Sequence, residues 1–143
     1  MSKFLIEDRP TLTCMIQART PERVSELIKK GLDGGTDAFA IQIDQLEREY
    51  RTESCYRVLF EKMGGKPVYV TDYRNNMSTG MTDGELADEL LTLAKSGAAL
   101  VDVMSDLYCP SKDEITRDSA ADAKQRELIN KIHSYGAEVL MSS

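Results

Sequence analysis

The sequence predicts an α/β fold: a parallel (β/α) barrel of TIM type, present as an arc of about five strands and four helices rather than a closed cylinder. One phrase recurs at intervals of roughly 30 residues: Gly, a short apolar run, a polar turn, an amphipathic helix, then Gly again. The apolar runs are short, β-branched and nearly continuous, as in strands buried on both faces of a parallel sheet. At 143 residues the chain is too short for a complete barrel, which takes about 200 residues or more. The expectation is therefore a single domain over residues 1–143 that forms the N-terminal half of a (β/α)₈ barrel, the chain stopping just after its fifth strand. An open doubly wound sheet also fits strand–helix alternation, since both use right-handed crossovers.

The elements follow in order. Residues 11–16 form the first strand run. Thr20-Pro21 then opens a helix, with Thr placed to cap it and Pro suited to its first position. Val24, Leu27 and Ile28 mark the buried face, and Gly31 is expected to stop that helix. The second strand run, 38–43, follows the turn Gly34-Gly35. Tyr56, Leu59, Phe60 and Met63 recur at helical spacing before Gly64-Gly65 and a third run at 67–71. Thr82 and Glu85 make a capping box for the third helix, whose stripe is Leu86, Leu90, Leu93 and Ala94. A fourth run at 98–103 leads into the longest irregular stretch, 105–118. The fourth helix carries Leu128, Ile129 and Ile132, and the fifth run is 137–141.

Composition narrows the function. A net charge of −6 argues against a nucleic-acid partner, because phosphate binding needs clustered Lys and Arg. No apolar stretch is long enough for a membrane span, and the first ten residues mix charges into a short apolar patch unlike a signal peptide. Cys14, Cys55 and Cys109 are widely spaced and match neither a disulfide framework nor a zinc site. A cytoplasmic protein with no metal is expected. No glycine-rich phosphate loop follows the first strand, and no cofactor is expected.

Ligands of parallel α/β folds sit beyond the C-terminal ends of the strands. That rule selects Gln17, Gln42, Asp44, Asp72, Arg74, Asp102, Ser105, Asp106, Ser142 and Ser143. Arg74 is the strongest, since its planar fork matches a pair of carboxylate or phosphate oxygens; the alternative is an ion pair with Asp72 or another strand-end carboxylate. Asp102 lies within an apolar run, where a bare carboxylate is costly, so it is hydrogen-bonded inside the barrel or faces the site. Gln17 and Gln42 are neutral hydrogen-bonding groups. Asp44 binds ligand or starts a loop. The lone His133 falls near the end of the last helix, away from the strand ends. Residues 77–80 read as a mobile loop.

The runs Ala40-Ile41-Gln42-Ile43-Asp44-Gln45-Leu46, Pro67-Val68-Tyr69-Val70-Thr71-Asp72-Tyr73-Arg74, Ala99-Leu100-Val101-Asp102-Val103 and Ala137-Glu138-Val139-Leu140-Met141-Ser142-Ser143 resemble the type I 3-dehydroquinate dehydratase family. The resemblance implies a (β/α)₈ barrel lyase of the shikimate-pathway kind. It implies a Schiff base between a lysine and a cyclic keto acid, with a histidine carrying the proton; an iminium is an electron sink that makes the adjacent proton removable. Arg74 and Asp44 match family positions. Ala40 and Gln42 stand where the family has Glu and Arg, and Ser78 where it has Glu. The family's histidine would follow Ser143 and its lysine would lie on a sixth strand, so no catalytic residue is expected in this chain. The resemblance thus implies the front of a lyase acting on a small anionic substrate such as a keto acid, with substrate contacts from Arg74, Gln42, Asp44, Gln17, Asp102 and Ser142. A non-catalytic half-barrel that binds or assembles is the alternative, and an open half-barrel should form a homo-oligomer or pair with a missing C-terminal half.

Overall fold

A computed structural model describes residues 2–143. Five strands, β1 (Thr13–Ile16), β2 (Ala38–Gln42), β3 (Val68–Thr71), β4 (Leu100–Met104) and β5 (Glu138–Ser142), alternate with four helices. The helices are α1 (Pro21–Asp33), α2 (Glu53–Glu61), α3 (Asp83–Ser96) and α4 (Ser119–Ser134). The strands form one parallel sheet in the order β1-β2-β3-β4-β5. A doubly wound sheet reverses direction at a switch point. Here each strand is laid beside the one before it, which is the order of a barrel wall.

Strand alternation sorts the side chains. Ile16, Ile41, Val70, Val101 and Val139 are aligned in register across the sheet and pack, with Phe39 and Val103, into the helix-side core. Val24, Ile28, Leu59, Leu90, Leu93, Leu128 and Ile132 meet them from the helices. The other face carries the row Met15, Ala40, Tyr69, Leu100 and Glu138. Burial on both faces holds for the central strands and fails at the edges: Met15 is 52% exposed and Leu140 46%. Both project from edge strands, where one flank has no neighbour.

Local signals place most boundaries. Thr20 caps α1 by accepting from Arg23 N, and Thr82 and Glu85 close a reciprocal capping box on α3. Gly31 does not end α1, which continues to Asp33 and is capped at Gly34. A Cβ on Gly31 would stand 2.8 Å from Phe39 Cε1 and 3.1 Å from Cys14 Sγ, so this glycine permits close packing of helix on sheet. The second strand ends at Gln42, and Ile43–Gln45 turn as a 3₁₀ helix that buries Asp44. No helix among the described residues is long and apolar enough to cross a membrane.

Candidate functional site

The C-terminal ends of β3, β4 and β5 open onto a cavity of about 390 Å³ lined by Tyr73, Arg74, Asn75, Met104, Asp106, Glu114, Ser142 and Ser143. Beneath it, Asp102 projects from β4 on the face away from the helices and is only 3% exposed. Its carboxylate accepts hydrogen bonds from the hydroxyls of Tyr69, Tyr73 (3.0 Å) and Ser142. Three hydroxyl donors satisfy a charge that an apolar strand could not otherwise hold. Burial, reinforced by the Asp102 charge, keeps both tyrosine hydroxyls protonated above their ordinary range.

Arg74 is anchored by carboxylates on two further elements. Its Nε and Nη2 donate to Asp83, the first residue of α3, at 2.8 and 2.9 Å. Its Nη1 donates to Asp106 at 2.9 Å and its Nη2 to the Asp106 carbonyl at 3.1 Å. Asp106 also accepts from Ser111 N, and Asp83 from Tyr108 N, so the guanidinium ties the mouth end of β3 to the loop after β4. Asp72, two residues earlier, is not its partner. The Arg74 side chain remains 28% exposed at the cavity wall.

The other candidate residues lie around this centre. Gln17 and Gln42, on the ends of β1 and β2, bond to each other at 2.5 Å rather than turning apart. Asp44 is 1% exposed and accepts from the Asn76 amide at 2.7 Å. It therefore braces the loop after β3. Residues 77–80 are held accordingly: Arg48 donates to the carbonyls of Met77 (2.7 Å) and Thr79 (2.5 Å), and Ser78 is wholly buried. These contacts strap the loop after β3 to the residues that follow β2. His133 is exposed on α4, outside this cavity.

Behind that loop lies a second polar cluster. The Arg51 side chain is 2% exposed and donates to Ser78 Oγ (2.8 Å), Glu89 (3.1 Å) and the Leu46 carbonyl (2.9 Å). Ser78 donates in turn to Asp72 at 2.6 Å. Burial, then the neighbouring Glu89 carboxylate, pushes Asp72 up to about 8. Asp72 was legible as a strand-end residue. Arg51 and Glu89 were not, since each sits on a segment that reads as an ordinary charged helix flank. Tyr69 and Tyr73 were also missed. The alternation that puts Tyr69 on the inner face was the signal that could have found it. Among the described residues, no group of three His, Cys, Asp or Glu side chains could hold a metal ion.

No protein-family model and no curated protein matches the sequence. Solved structures do. The 3-dehydroquinate dehydratase of Enterococcus faecalis superposes with a TM-score of 0.77 at 16% identity, covering 99% of this chain and 57% of that one. The 3-dehydroquinate dehydratase of Geobacillus kaustophilus gives 0.70 at 13%, covering 95% and 50%. A tetrameric deoxyribose phosphate aldolase from Aeropyrum pernix gives 0.55 at 18%, covering 92% and 49%. The dehydratase resemblance carried by the strand motifs thus holds at the level of the fold, which is that of a partial barrel. The chain spans about half the length of the structures it matches.

Proposed function

We propose that residues 1–143 act as one folding unit supplying the first five strands and four helices of a Schiff-base lyase barrel whose substrate is a small keto acid or related carbonyl compound. The observation that carries this reading is the superposition of nearly the whole chain on a 3-dehydroquinate dehydratase, together with the sequential strand order of its own sheet. The cavity at the strand ends supports it, because barrel enzymes work at that end. In this reading Arg74 and Asp102 shape the mouth, Ser142 and Gln42 offer hydrogen bonds to ligand, and Gln17 and Asp44 hold their neighbours in place. The imine lysine belongs to the part of the barrel outside these residues, since every lysine of the chain lies off the strands.

Borohydride reduction in the presence of small keto acids tests this. This chain alone should give no adduct, and the barrel closed by its remaining strand–helix units should be trapped on a lysine outside residues 1–143. Failure of every keto acid to trap the closed barrel would refute the lyase reading.

A second reading, a non-catalytic assembly half-barrel, is favoured by the exposure of Met15 and Leu140 on the inner face. Apolar side chains on an uncovered sheet with two open edges favour pairing, with a second copy or with a closing half. Light scattering after size exclusion should show a species larger than the 16.0 kDa monomer. A compact monomer at all concentrations would count against pairing.

A further inference from the structure

The charges around the cavity at the ends of β3, β4 and β5 are unbalanced. Among the described residues Arg74 is the one cation in its lining, and its fork is already shared between Asp83 and Asp106. Asp106 and Glu114 stand in the same wall, and Asp102 lies directly below Ser142 and Tyr73. One guanidinium, paired with Asp83 and Asp106, thus stands against two further carboxylates around the cavity, Glu114 in the wall and Asp102 beneath it. The strand that could have added a second cation carries Ala40 and Gln42 on its inner face, and Gln42 is paired with Gln17. What the wall does offer is hydroxyl and amide chemistry: the Ser143 hydroxyl, the Ser142 oxygen as an acceptor, the exposed Asn75 amide and the exposed Glu114 carboxylate, over the apolar surfaces of Met104 and Tyr73.

We infer that this arc of the mouth receives the uncharged, hydroxyl-bearing part of a ligand and disfavours a carboxylate. Ligand hydroxyls can donate to the exposed Glu114 carboxylate in charge-assisted bonds, whereas a ligand carboxylate, which only accepts, would meet fixed negative charge. Arg74 cannot relieve this without giving up Asp83 or Asp106, and freeing either leaves a largely buried anion unpaired. The inference deepens the proposed function, since it takes the same strand ends as the ligand-binding end; a keto acid bound there would need its carboxylate met by residues outside this arc.

The test compares gluconate with gluconamide, which share a hydroxylated skeleton and differ in one charge. Both are titrated into the full chain while the amide resonances of residues 73–75, 104, 142 and 143 are followed by NMR. Gluconamide should bind about tenfold more tightly at low ionic strength, the size expected for one unit charge near several partly exposed ones. The gap should narrow as salt rises, and should narrow also in Glu114→Gln, which removes an exposed wall charge. Equal or tighter binding of gluconate overturns the inference, as does the absence of shifts with either compound. Borohydride trapping is blind to this preference, so the lyase reading and the charge reading fail separately.

Discussion

Asp72 shows how a single residue's environment becomes a measurable property. It is 2% exposed at the end of β3, with Ser78 donating to one oxygen, Glu89 nearby on α3, Arg51 at 3.9 Å and the Tyr56 hydroxyl of α2 buried beside the cluster. Burial, followed by the Glu89 carboxylate, raises it from 3.8 to about 8. A carboxyl raised in the folded state keeps its proton when the unfolded chain has lost it. Its contribution to stability is therefore complete below pH 3.8 and is lost as pH rises toward about 8. Asp72→Asn should remove that slope: thermal melts should show the variant gaining on the parent protein between pH 5 and pH 8, with the two closest near pH 4. A constant difference across that range would mean that Asp72 is already ionised in the fold.

At the scale of elements, the most informative residue is Gly31. Replacing a glycine inside a helix with alanine ordinarily stabilises by about 0.5–1 kcal/mol. Here the added methyl would press on Phe39 and Cys14, and overpacking costs about 1–3 kcal/mol. Gly31→Ala should thus lower the midpoint of urea unfolding, and a raised midpoint would show that β1 and β2 give way easily. The same residue explains a limit of sequence reading. Glycine near the end of a periodic stretch looks like a stop signal, and only the distance to Phe39, eight positions on, reveals a packing role. Strands, capping boxes and buried stripes were legible because their causes lie within a few residues: Thr82 with Glu85, or Leu86 with Leu90 and Leu93. The candidate site was legible only as a zone. The strand-end rule picks out Arg74, Asp102, Asp106 and Ser142, but their partners Asp83, Tyr69 and Tyr73 come from alternation and from contacts across the mouth. Likewise, nothing in the spacing of Arg48 and Arg51 announces that they strap down the loop after β3.

For the whole molecule, everything above depends on sheet order. Five parallel strands in sequential order leave the row through Met15, Ala40, Tyr69 and Leu100 on the face away from the helices, and bring Arg74, Asp106 and Ser142 to one end. In a doubly wound sheet β1 would lie inside the sheet, beside β3 or β4 as well as β2, and helices would cover both faces, leaving no open cavity above the Asp102 cluster. Interstrand NMR contacts between backbone protons decide between the two. The barrel arc predicts parallel contacts joining Ile16 to Ile41, Ile41 to Val70, Val70 to Val101 and Val101 to Val139, with none from β1 to β3 or β4. Contacts of β1 with β3 or β4, or antiparallel pairing anywhere in the sheet, would contradict it.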